Sequence, residues 1–122
     1  MTIDELKQRS DVFVVIADED GTITYVHAAS PDLLGWEPED LVGNSLTTLI
    51  PPHLHDAHTM GFSRFLTTGR ATLMNRPLRL DVLTKDGRTV ASEHVIVAER
   101  AGDRWVFGAT IQPLAPAPDP EQ

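Results

Sequence analysis

Apolar positions along the chain change spacing several times, and each change predicts an element. Ile3, Leu6 and Lys7 outline a short amphipathic helix within residues 1–10, with Asp4 and Glu5 favourable near its positive end. Asp11 to Ala17 is a nearly unbroken β-branched run, which predicts a strand. Asp20-Gly21 then predicts a hairpin turn, because glycine accepts positive φ, with a second strand from Thr22 to His27. Ser30 before Pro31 has the form of a helix N-cap with proline in the first turn, ended by Gly35. Glu37 to Leu41 forms a second short helical piece that closes near Gly43.

The longest helical pattern starts at Pro52 and runs to about Thr68, with Gly69 as its stop. Leu54, His58, Phe62 and Phe65 recur on one face of it, while His53, Asp56, Ser63 and Arg64 lie mostly on the others. Three strands follow: Arg76 to Leu83, Arg88 to Arg100 and Arg104 to Gln112. Turns at Lys85-Asp86-Gly87 and Ala101-Gly102-Asp103 join them. In the second of these strands, alternation puts Val90, Ser92, His94, Ile96 and Ala98 on one face. Thr89, Ala91, Glu93, Val95, Val97 and Glu99 take the other, where both glutamates are expected in solvent. Residues 113–122 are Pro/Ala-rich and acidic, a linker or tail after a domain at 11–112.

Composition narrows the function classes. With 122 residues, 41% hydrophobic and 23% charged, the chain fits one ordinary globular domain. Ten Lys and Arg against 18 Asp and Glu leave a net charge of −8, which argues against nucleic-acid binding. There is no cysteine, so disulfides, thiolate metal sites and cysteinyl chemistry are excluded. No apolar run approaches the roughly 20 residues that span a bilayer, and the polar N-terminus is unlike a secretory signal. The expectation is a soluble, cytoplasmic protein without a membrane or nucleic-acid partner. No nucleophile–base motif, phosphate loop or carboxylate pair points to an enzyme.

The order of elements, with three stretches of sequence, resembles the PAS family. Residues 17–30 resemble its first hairpin, and 33–51, with Gly35-Trp36 and Gly43-Asn44-Ser45 before Pro51, its helical crossover. Residues 83–97 resemble the hairpin ahead of the penultimate strand. The resemblance covers about 11–112 and implies an α+β fold. In it a five-stranded antiparallel sheet, flanked by short helices and one long helix, cradles a pocket. It implies a sensor module in signal transduction that passes its signal to an unidentified output protein or domain.

Residues 49–69 are similar to the long-helix region of haem-binding PAS domains of oxygen-sensing proteins, where a helix histidine ligates iron. His58 falls on that position, which implies haem b and the sensing of a diatomic gas or redox state. The alternative is a dimerisation or interaction domain with an apolar small-molecule ligand or no cofactor. The implied pocket residues are His58, Phe62, Leu73, Leu78, His94, Ile96 and Gly108. His58 reads either as a proximal iron ligand or as a core histidine with a backbone or water partner. His94, where the family carries apolar distal residues, reads as a second iron ligand, a distal hydrogen-bond donor or plain pocket lining. The family's oxygen-binding arginine is replaced by Leu78, and Arg76 and Arg79 beside it point elsewhere or toward propionates. His27, His53 and His55 read as strand-end or solvent residues. In the last strand Gly108, with Val106 and Thr110, is expected to face the pocket, as ligand space or a bulge. Trp105, Phe107 and Ile111 are then expected to face outward and, with the N-terminal helix, to seat a second copy in a homodimer.

Overall fold

The computed structural model describes residues 2–28, 34–68 and 77–114. The chain begins with helix α1, Ile3–Gln8, whose first turn is capped by Thr2 Oγ1, which accepts from Glu5 N at 3.1 Å. Strands β1 (Phe13–Asp18) and β2 (Ile23–His27) form the first hairpin. Asp18 braces its turn by accepting from the backbone N–H groups of Asp20 and Thr22, each at 3.0 Å. Gly21, at φ +81°, takes a conformation that a side chain would strain. The predicted Ser30–Pro31 cap lies outside the described residues. Helix α2, Pro38–Leu41, closes on Gly43, and two 3₁₀ turns, Leu46–Leu49 and Pro52–Leu54, lead into helix α3, His55–Thr68. The C-terminal half is β3 (Pro77–Leu83), β4 (Thr89–Ala101) and β5 (Arg104–Pro113).

The five strands form one antiparallel sheet in the order β2-β1-β5-β4-β3. The first and last strands of the chain are therefore neighbours at its centre. This explains why β1 shows no alternation: Phe13 to Ala17 are all buried, because both faces of the centre are covered.

Helix α1 covers one face. Ile3 and Leu6 pack with Val12, Val14, Ile16 and Val97. Leu6 is wholly buried, a contribution of roughly 1.5–3 kcal/mol. Glu99, expected in solvent, instead accepts the Ile3 N–H at 2.9 Å and ties the helix start to β4. The other face carries Phe13, Val15, Val82 and Ile111, packed with Ile23 at the start of β2 and with Leu34, Leu41 and Leu49 of the crossover. Trp36 Nε1 donates to the Leu83 carbonyl at 2.8 Å, and Lys85 pairs with Asp40 at 2.8 Å, so the crossover is pinned to the end of β3. No helix among the described residues is long and apolar enough to cross a membrane. The 115–122 segment lies outside the described residues.

Candidate functional site

Between α3 and the sheet lies a cavity of about 560 Å³, within the size range of small-molecule and cofactor sites. Its helix wall is the face read from the sequence: Leu54, His58, Phe62 and Phe65 all line it. Gly61 lines it as well, and a Cβ built there would meet nothing within 4 Å, so this part of the wall is flat and open. Arg64, placed mostly on another face by its spacing, also reaches the lining. The sheet wall carries Leu78, His94 and Ile96, as expected, together with Val15, Ala17 and Val82. Leu73 lies outside the described residues.

The expected orientation of β5 is overturned. Phe107, Ala109 and Ile111 line the cavity, and Phe107 lies 4.7 Å from Phe62 and 5.2 Å from Phe65, ring centre to ring centre. Trp105 meets Phe65 edge-on at 4.9 Å. Trp105, Phe107 and Ile111 therefore face α3 and not the outer side, and they supply no outward patch for a second copy. Val106 packs instead with the α1 cluster. Gly108 lines the cavity only with its backbone. A Cβ there would come within 2.5 Å of Leu6 Cδ1 and 2.9 Å of Ile3 Cδ1, so the glycine leaves room for α1 and not for a ligand. The physical cause is the pairing register. Phe107, Ala109 and Ile111 stand opposite Ala17, Val15 and Phe13, while Gly108 and Thr110 stand opposite Ile16 and Val14.

The histidines separate into distinct environments. His55, expected at the surface, is half-buried and donates from Nε2 to the Ile50 carbonyl at 2.7 Å, which fixes the start of α3. His53 is exposed, and His27 Nε2 lies 3.4 Å from the Ser10 carbonyl oxygen. His58 is half-buried on the cavity wall, its ring stacked on Phe62 at 5.9 Å. Burial, and then the nearby His55 charge, lower its pKa, so it is held as neutral imidazole. His94 is 9% exposed, and burial pushes its pKa down to about 4. Its Nε2 has no hydrogen-bond partner among the described residues. Arg79 is exposed, and its cross-strand partner Glu93 lies on the face away from His94, so Arg79 points away from the cavity.

Sequence reasoning missed Phe107 and Ala109 of β5 and the wall from Leu46, Leu49 and Ile50. The Leu46–Ile50 run carries an apolar signal, but its place in the crossover does not by itself show that it reaches the cavity. For β5 no pattern was available, because both of its faces are covered.

Comparison with known proteins gives the same architecture. The family model described as "PAS fold" matches residues 3–113. The chain is 34% identical over 103 residues to an uncharacterized protein of Azorhizobium caulinodans, a match that covers 84% of this chain and 14% of that protein. A PAS domain from Desulfitobacterium hafniense superposes with a TM-score of 0.67 at 17% identity, over 91% of this chain and 99% of that one. The PAS domain of an HTR-like protein from Haloarcula marismortui gives 0.68 at 19%, over 92% and 88%. The sheet order, the crossover helices and the family match together establish that this chain belongs to the PAS family.

Proposed function

We propose that this PAS domain is a sensor module that holds haem b in the cavity through His58 and responds to a diatomic gas or to redox state. The observation that carries this reading is His58 itself. It is a neutral imidazole on the wall of an otherwise largely apolar cavity, with open space at Gly61 one turn further along the helix. Ligation requires the neutral ring, and burial supplies it. Phe62, Leu78 and Ile96 would bound the ring system, and His94 would face it from the sheet. Bound there, haem would supply an iron centre open to gas binding or electron transfer. Among the described residues no three of His, Asp and Glu converge on one point.

The second reading, an apolar small molecule without metal, is favoured by the lining, in which His58, Arg64, Asp81 and His94 are the charged or ionisable side chains. In either reading the domain is a signalling module that acts through an output partner and not as an enzyme. Titration of the purified chain with hemin decides between them. The haem reading requires one equivalent bound with a Soret band typical of imidazole ligation, and loss of that uptake in His58→Ala with the fold retained by circular dichroism. An unchanged Soret band and affinity in His58→Ala would remove His58 from the role. Absence of uptake by the wild-type chain would leave the metal-free reading.

A further inference from the structure

His94 Nε2 is the one buried side-chain polar atom left without a partner among the described residues, and His94 stands on the wall of the cavity between α3 and the sheet. An unpaired buried nitrogen costs roughly 1–3 kcal/mol, a cost that proteins seldom leave uncompensated. Its cross-strand neighbours are Leu78 and Ile111, both cavity-lining and both unable to pair with it. A water molecule would find few of the two to four polar contacts that hold buried water. A ligand in the cavity would supply that partner.

The rest of the wall describes that ligand. Phe62, Phe65 and Phe107 present aromatic surface, and Gly61 leaves a flat gap on the facing helix. We infer that His94 is a ligand-selecting residue: the cavity takes a flat apolar molecule that carries one uncharged polar atom to the sheet wall, where it pairs with Nε2. The atom is uncharged because His94 is itself neutral and its cross-strand neighbours, Leu78 and Ile111, carry no charge to balance one. The inference rests on the cavity being a ligand site, as proposed above, but not on that ligand being haem.

Two probes of nearly equal shape, 1-naphthol and 1-methylnaphthalene, test it by NMR titration of the full haem-free chain. The hydroxyl pairs with either imidazole tautomer, and the methyl with neither. In the wild type the hydroxyl improves affinity, relative to the methyl, by about five- to tenfold more than in His94→Leu. In the wild-type chain alone, the side-chain ¹⁵N resonance of His94 Nε2 shifts with 1-naphthol and stays in place with 1-methylnaphthalene, a measurement that needs no variant to fold. An affinity ratio that changes by less than about twofold in His94→Leu, or an unmoved ¹⁵N resonance with naphthol bound, overturns the role of His94. Failure of both probes to bind overturns the selection rule, while the hemin titration judges the haem reading independently.

Discussion

Acid should weaken this fold through His94, and replacing that residue should remove most of the effect. His94 has its pKa lowered by burial from the ordinary 6.5 to about 4. The folded state therefore binds fewer protons than the unfolded chain in the window between those values. The penalty is absent above pH 6.5, grows as pH falls, and saturates below about 4. Full development corresponds to about 3 kcal/mol, of which about 2 kcal/mol appears between pH 7 and pH 5. For a chain of 122 residues, that is a fall in Tm of roughly 7 °C. The ionisable groups that line the cavity with His94 are His58 and Arg64 from α3 and Asp81 from β3. His58, also lowered, adds a loss of the same sign. Three surface carboxyls are held below their ordinary range: Asp11 by Arg9, Asp40 by Lys85, and Asp86 by Thr84 and then Arg88. Their contributions are lost only as pH falls through those low values, outside the window. Urea unfolding of haem-free wild type and His94→Leu at pH 7 and pH 5 gives the comparison. His94→Leu should lose about 2 kcal/mol less on acidification. It should be no less stable than wild type at pH 7, since an unpaired polar atom is replaced by an apolar one. Equal losses in both proteins would refute the assignment of the penalty to His94.

The α1 face and the crossover give three further expectations. Leu6→Ala removes a wholly buried side chain and should cost about 3 kcal/mol in chemical denaturation, whereas a cost near zero would mean that α1 does not dock. Gly108→Ala should cost about 1 kcal/mol in the same assay, at the low end for overpacking, because the crowded atoms are terminal methyl groups of Leu6 and Ile3. That cost should shrink on a Leu6→Ala background; strict additivity would show that the two residues are not in contact. Trp36→Phe deletes the bond to the Leu83 carbonyl and should lower stability by about 1 kcal/mol in thermal melts, most clearly by loosening the crossover in hydrogen exchange near Leu34 and Lys85.

Much of the fold was legible because local signals agreed with it. Asp20-Gly21, Lys85-Asp86-Gly87 and Ala101-Gly102-Asp103 mark the observed hairpin turns, and glycine stands at positive φ in each. The α3 face was legible too. Leu54, His58, Phe62 and Phe65 recur at helical spacing, and the face bearing them meets the cavity. On β4, alternation put His94 and Ile96 on one face, the family resemblance turned that face to the pocket, and both line the cavity while Glu93 opposite is exposed. A polar residue on one side fixes the side of all the others.

Strand β5 lacks such a marker, and the site reading failed there. Trp105 to Ile111 contains apolar residues at both parities, and the one polar residue, Thr110, is itself buried. Gly108 then invited the wrong inference. Glycine in a strand signals a close approach, but not from which side. The approach comes from Leu6, 102 positions away in the chain, and β5 is opposite β1 only because the sheet order brings the two ends of the chain together. Both facts are long-range. The same peptide at Gly108 thus has the cavity on one side and α1 on the other, with no side chain between the strand and the helix. At Gly108 the contact with α1 is made by backbone alone, while Val106 of the same strand packs with the α1 cluster through its side chain. Glu99 adds a second long-range contact, since it joins β4, three residues beyond the cavity-lining Ile96, to the first N–H of α1.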